Sequence, residues 1–312
     1  MVGVNDRGRV VLLCVLVFYG IGCTDPVPKG TQVVENVAYA PGIGADLLNL
    51  YVPKSDRPDP LVIWIHGGGW QIGNGWRGHS PAMRLLAHGY AVANIDYRLT
   101  GQARFPAQIQ DCRAAVRWLR SHAGIYHIDS QRVGIWGESA GGHLAALLGT
   151  SGDSSQLEAN EAPAPNVSAR VQAVCDWYGP TDFLQIVTDK AAKDNPSLDA
   201  PGSPLGDLLG GRVSDHLELA RLASPISFVG SGDPPFLIFH GDRDPIVPIH
   251  QSELLEKALS KAGDDVTFCR VEGGWHGGWE FDSAENQAII LRFFDRVLKG
   301  DAPPVRAPVG PY

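Results

Sequence analysis

Apolar and polar positions along this chain change period repeatedly, and the changes mark its elements. Leu61-Val62-Ile63-Trp64-Ile65-His66 is a short, almost unbroken apolar run, which predicts a strand buried on both faces. Tyr90 to Ile95, Val133 to Trp136, Val171 to Trp177, Phe236 to Phe239 and Val266 to Val271 read the same way. Between these runs the spacing turns helical. Over Pro106 to His122, Ile109, Cys112, Val116 and Leu119 fall on one helix face. Helices are also expected over Pro81 to His88, His143 to Leu148, Gln251 to Ala262 and Ala284 to Leu298. Upstream, Val33 to Tyr39 and Ala45 to Val52 flank Ala40-Pro41-Gly42-Ile43-Gly44, the pattern of an antiparallel hairpin at a sheet edge. Strands and helices therefore alternate. That order predicts an α/β fold, a mostly parallel central sheet with helices on both faces. Loops at the carboxyl ends of its strands are where a site is built.

Two stretches break the alternation. Gly152 to Ser168 is rich in Ser, Pro, Ala and acidic residues and reads as a surface loop. Phe183 to Ser224 is longer, interrupted by Gly and Pro, and weakly periodic. It reads as a small cap-like insertion carried above the sheet, with short helices near Leu205 to Leu209 and Asp215 to Leu222. Such insertions often line substrate pockets.

The front end has its own pattern. Arg7 and Arg9 precede an apolar core from Val10 to Phe18, and small residues follow up to Gly22-Cys23. This is the layout of an export signal over residues 1–23. Gly22-Cys23 resembles the end of a bacterial lipoprotein signal, with Cys23 as a lipid-bearing residue and membrane attachment as the consequence; Gly20 departs from the aliphatic residue usual there. Residues 24–32 are then a tether, 33–299 the folded body, and 300–312, with four prolines after Asp301, a flexible tail. The expected location is periplasmic, secreted or lipid-anchored.

Composition narrows the picture. With 312 residues and 44% hydrophobic, the chain suits one large domain or two small ones. A net charge of -8 without a basic patch argues against nucleic acid as a partner. Cys112, Cys175 and Cys269 lie in predicted helices or strands and read as buried thiols. No Cys-x-x-Cys spacing suggests a structural zinc.

Gly137-Glu138-Ser139-Ala140-Gly141-Gly142 joins the Val133 to Trp136 strand to a helix. Strand, tight glycine-flanked turn and helix form the context of a nucleophile elbow, with Ser139 at its tip. A nucleophilic serine needs an oxyanion hole, an acid and a histidine. His66-Gly67-Gly68-Gly69-Trp70 follows a buried strand, and its glycines let backbone N–H groups converge. Gly68, Gly69 and Ala140 are the expected oxyanion donors, with His66 bracing the loop. After the Phe236 strand two acids compete, Asp242 and Asp244. Asp242 sits in the immediate turn, suited to capping backbone amides. Asp244 lies farther along, where it can reach a histidine, and is preferred. His276, between Gly273-Gly274-Trp275 and Gly277-Gly278, follows the last strand and completes the order serine, acid, histidine. Trp70, Trp76, Glu138, Trp177, Tyr178 and Trp275 lie near these loops and are candidate substrate contacts. Aromatics there can stack on a sugar or feruloyl ring, or simply pack the pocket walls.

With Asp96-Tyr97-Arg98 and Trp177-Tyr178-Gly179-Pro180-Thr181-Asp182, these motifs resemble the α/β-hydrolase superfamily. They are most similar to its bifunctional feruloyl/acetyl esterase-like branch, near the hormone-sensitive-lipase-like carboxylesterases. Glu138, where the lipase-like group often has Asp, favours the former. The resemblance covers roughly Val33 to Leu298. It implies ester hydrolysis through an acyl-serine without metal or cofactor, on a small ester or acylated saccharide. An arylformamidase-like amidase shares the architecture, and a binding protein on the same fold usually lacks a triad member.

Overall fold

The computed structural model describes residues 27–40, 47–75, 80–159, 164–188 and 200–301. The expected signal, Cys23, Trp76 and nearly all of the expected tail lie outside them.

Eight strands form one sheet in the order β1-β2-β4-β3-β5-β6-β7-β8. They are β1 (Gln32–Ala38), β2 (Leu47–Val52), β3 (Asp59–Ile65), β4 (Ala91–Ile95), β5 (Ile128–Glu138), β6 (Ala173–Trp177), β7 (Phe236–Gly241) and β8 (Val266–Val271). β1 pairs antiparallel with β2, and β2 with β4; every other pairing is parallel. The chain thus has the α/β-hydrolase architecture expected of it, with the hairpin at one edge.

Alternation along the strands fills two cores. Leu61, Ile63 and Ile65 of β3 face one, while Val62 and Trp64 face the other. A side-chain period of two makes this unavoidable in a strand buried on both sides. The first core is covered by α1 (Ala107–Ser121), α2 (Ala140–Ser151) and, later, α6 (His250–Ala262), through residues such as Ile109, Leu144, Leu148 and Leu255. The second is covered by Pro81–His88 and α7 (Ala284–Phe294). Three tryptophans from adjacent strands meet there edge to face: Trp64 and Trp136 at 5.3 Å, Trp136 and Trp177 at 5.0 Å. Such geometry adds electrostatic attraction to the burial of three large side chains.

Two expected helices differ in kind. Pro81–His88 is a 3₁₀ run closed by Gly89 in the left-handed conformation. Beyond Phe294, α7 widens into a π turn over Asp295–Lys299. The insertion carries the helices α3 (Phe183–Ile186), α4 (Pro204–Leu209) and α5 (Leu217–Ala223), the last two where short helices are expected. Phe183, Leu208, Leu209, Val213, Ala220 and Ala223 are buried in the first core. The apolar residues are there in the sequence, but helices of four to seven residues are too short to show a period.

Cys112, Cys175 and Cys269 are buried free thiols. Burial pushes the Cys269 thiol up to about 12, so it stays protonated and unreactive.

Candidate active site

Five loops at the carboxyl ends of β3, β5, β6, β7 and β8 converge. Ser139 leaves β5 at φ 51°, a left-handed conformation disfavoured for any side chain. Close packing leaves no choice. A Cβ on Gly137 would stand 2.2 Å from the Gly141 carbonyl oxygen, and one on Gly141 would stand 2.1 Å from that of Ile65. Only glycine at both positions lets the turn close, and the Ser139 amide, donating to the Trp177 carbonyl at 2.8 Å, pins it to β6. Trp70 (φ 58°) and Tyr178 (φ 44°) are also left-handed. Backbone strain of this kind collects where a site over-determines its geometry.

Ser139, His276 and Asp244 form one hydrogen-bonded row. His276 Nε2 lies 2.8 Å from Ser139 Oγ, and His276 Nδ1 lies 2.6 Å from Asp244 Oδ2. A carboxylate only accepts, so Nδ1 carries the proton and Nε2 is left to accept from the serine hydroxyl. The other Asp244 oxygen accepts from the amides of Ile246 and Val247 at 2.8 and 2.9 Å. Burial pushes the Asp244 carboxyl up. Hydrogen bonds and charge from His240 and His276 outweigh it and hold the group well below the usual carboxylate range. Asp242 is occupied elsewhere, its Oδ1 accepting from the Gly273 amide at 2.8 Å.

Above Ser139 runs the glycine loop. Gly68 (φ 102°) receives the Gln71 and Ile72 amides on its carbonyl, a tight turn that leaves its own N–H and that of Gly69 without an acceptor among the described residues. Ala140 opens α2, so its amide also lacks an intrahelical acceptor. Three donors are therefore available beside the serine. His66 braces this loop from beneath. Its Nδ1–H donates to the Gly67 carbonyl at 2.7 Å, and its ring stacks on Tyr97 at 4.4 Å. Burial lowers its pKa to about 4, against the Gly67 hydrogen bond, so the ring is neutral at neutral pH.

The candidate substrate contacts separate into two groups. Trp70 is 3% exposed, its Nε1–H donating to His143 Nδ1 at 3.2 Å and its ring packed on His143 and Phe183. Trp177 lies in the tryptophan cluster of the second core. Neither has a ring face left for a ligand, so both are corrected from substrate contacts to walls. Glu138 and Tyr178 are buried as well, and the Tyr178 hydroxyl donates to Glu138 Oε2 at 2.9 Å. The Tyr178 ring packs 4.8 Å from that of His276, so this pair supports the histidine from below rather than facing solvent. Trp275 is different: it is 60% exposed.

Sequence reading missed two histidines. His240 is the penultimate residue of β7, buried, with Nε2–H directed at the Val247 carbonyl (2.8 Å) and Asp244 Oδ2 (3.2 Å), while Nδ1 accepts from Ser252 Oγ at 2.7 Å. His143 stands one helical turn after Ser139 and donates Nε2–H to the Ala223 carbonyl at 2.7 Å, tying α2 to the insertion. Its i+4 spacing from the serine was the available signal.

Known proteins resemble this chain in sequence and in fold. Esterase LipC of Mycobacterium tuberculosis is 31% identical over 266 residues, 83% of this chain. The chain spans 64% of LipC's own length. A truncated carbohydrate esterase from gut microbiota superposes with a TM-score of 0.77 at 31% identity, covering 86% of this chain and 96% of that one. A bifunctional GH43-CE protein of Bacteroides eggerthii gives a TM-score of 0.77 at 33% identity, over 85% of this chain and 35% of its own. Residues 48–259 match the BD-FAE family, and the chain belongs to that family of α/β-hydrolases.

Proposed function

We propose that this protein is a serine carboxylic-ester hydrolase that works through an acyl-serine and removes acetyl or feruloyl groups from saccharides. The observation that carries the reading is the row Ser139 Oγ, His276, Asp244 beside the amides of Gly68, Gly69 and Ala140, which have no acceptor among the described residues. As Ser139 Oγ attacks the ester carbonyl carbon, His276 Nε2 takes the hydroxyl proton and Asp244 stabilises the resulting imidazolium. Charge that develops on the carbonyl oxygen is met by the three amides, fixed before reaction. The C–O bond to the alcohol then breaks, and His276 returns the proton to the departing oxygen. Water enters by the same route in reverse, its proton going to His276, and the carboxylic acid leaves as Ser139 Oγ is reprotonated.

The saccharide part of the reading is supported by similarity to carbohydrate esterases and by the exposed Trp275. The test is acetate release from acetylated xylan by the full chain, with Ser139→Ala as blank. Release that persists in the variant refutes the serine mechanism. No release from xylan, with turnover of a short aryl acetate intact, assigns the protein to small esters instead.

A further inference from the structure

Among the described residues the tryptophans divide sharply. Trp64, Trp70, Trp136 and Trp177 are at most 3% exposed, and Trp118 is half-buried. Trp275 is 60% exposed and Trp279 is 79% exposed. Both belong to the loop that carries His276. A large aromatic surface left in water is costly unless something covers it.

That loop is firmly held. The Arg243 amide donates to the Gly274 carbonyl at 2.9 Å, and a Cβ on Gly241 would stand 2.3 Å from the same oxygen. Trp275 and Gly277 pair across His276 as an isolated antiparallel bridge. Consecutive turns follow, with the Phe281 amide on the Gly278 carbonyl and the Asp282 amide on the Trp279 carbonyl. Phe281 is 1% exposed and packs 4.7 Å from Tyr178 and 5.5 Å from Trp177. Asn286 Nδ2 donates to the Glu280 carbonyl at 2.8 Å. Two exposed indoles on a backbone fixed at both ends lose little backbone entropy on binding. Four residues apart, their Cα atoms lie within about 14 Å of each other.

We propose that Trp275 and Trp279 form a stacking platform outside the cleft for the sugar chain of the ester substrate, beside the histidine that serves its acyl linkage. The proposal rests on the saccharide-ester reading above and adds Trp279 to it. Sugar rings present flat C–H faces to an indole, and the platform needs no charge to hold them. The surrounding charge favours a neutral or weakly charged chain over an anionic lipid surface: Glu272, Glu280, Asp282 and Glu285 all lie within ten residues of Trp275, and the Arg84 guanidinium pairs with Asp282 at 3.3 Å.

Two measurements separate the platform from the chemistry. The first is quenching of tryptophan fluorescence in full-length Ser139→Ala by unacetylated xylo-, manno- and cello-oligosaccharides. Saturable quenching by at least one is expected, weakened about tenfold by Trp279→Ala and by Trp275→Ala and restored by Trp279→Phe. The second is the ratio of kcat/KM for an acetylated oligosaccharide to that for a short aryl acetate. It should fall about tenfold in Trp279→Ala, mostly through KM, whereas an exposed control, Ile125→Ala, leaves it unchanged. Quenching by none of the sugars, or an unchanged ratio in both tryptophan variants, overturns the platform even when esterase activity is intact. Vesicle binding that Trp279→Ala abolishes, without sugar binding, overturns it in favour of a membrane surface. Loss of aryl acetate turnover in the wild type overturns the esterase reading and leaves the sugar titration standing as its own test.

Discussion

His240 and His276 share one oxygen of Asp244. Nδ1 of His276 lies 2.6 Å from Oδ2 and Nε2 of His240 lies 3.2 Å from the same atom. The aspartate is therefore held from both sides, with its second oxygen fixed by two backbone amides. The His240 ring bonds Val247, Ser252 and Asp244 rather than Ser139, so it acts by positioning. His240→Asn should lower kcat on an aryl acetate about tenfold with little change in KM, since one hydrogen bond to a charged group is worth roughly 1.5–3 kcal/mol. A loss confined to KM, or full activity with only a lowered melting temperature, would assign His240 a purely structural role.

Asp242 and Asp244 are two residues apart with separate tasks. Asp242 caps the Gly273 amide, a bond that asparagine can reproduce. Asp244→Asn offers the His276 ring the wrong partner and should cost about 10³–10⁴ in kcat. Asp242→Asn should stay within about threefold of the wild type, a change on the order of 0.7 kcal/mol. Steady-state kinetics of the two variants side by side decide it, and the reverse ranking would move the acid to Asp242.

What could be read from the sequence was whatever is local or periodic. Strands buried on both faces show as short apolar runs, so Leu61 to Ile65 and Phe236 to Phe239 were legible, and with them the loops that carry Gly68, Asp244 and His276. The glycines at 137 and 141 could be read as an elbow because the contacts they permit are to chain neighbours and to an adjacent strand. Burial of single aromatics was not legible. Trp70 and Trp275 both adjoin glycines in site loops, yet one is wedged against His143 and the other stands in water. Only the tertiary path of α3 and the insertion decides between them. His240 escaped notice for the same reason: its partners Val247 and Ser252 are brought to it by the loop that follows.

The elbow has no room for a methyl group. Gly141→Ala would set a Cβ 2.1 Å from the Ile65 carbonyl oxygen and 2.6 Å from that of His66. Both are backbone atoms at the end of β3, so relief must come from shifting α2 or the oxyanion loop. Gly141→Ala is expected to lose about 1–3 kcal/mol of stability and activity by a factor of 100 or more, through displacement of Ser139 and the Gly68 and Gly69 amides. Thermal unfolding with active-site titration by an organophosphate checks this. A variant that labels at the wild-type rate would mean the elbow is softer than its packing indicates.

Two buried groups near the elbow give the stability of this protein opposite responses to acid. His143 is completely buried, and desolvation lowers its pKa to about 4 although its bond to the Ala223 carbonyl raises it. Between the unfolded value of 6.5 and about 4, the unfolded chain takes up a proton that the folded one refuses, so His143 withdraws stability as the pH falls. Asp176 lies beneath the same turn, with Oδ1 accepting from the Gly179 amide at 2.9 Å and Oδ2 without a partner among the described residues. Burial raises it from 3.8 to about 6, against that hydrogen bond and the charge of His240. Its folded form takes a proton first, so Asp176 adds stability on acidification and loses it as the pH rises through about 6. From about pH 7 to about pH 4.5 each contribution amounts to roughly 2 kcal/mol, of opposite sign. Urea unfolding at both pH values should therefore show a smaller acid-induced loss for His143→Gln than for the wild type and a larger one for Asp176→Asn. The comparison between variants cancels the many other carboxylates that titrate in the same range. Equal slopes in all three proteins would mean that water reaches these groups in the folded state and that their burial exacts no protonation penalty.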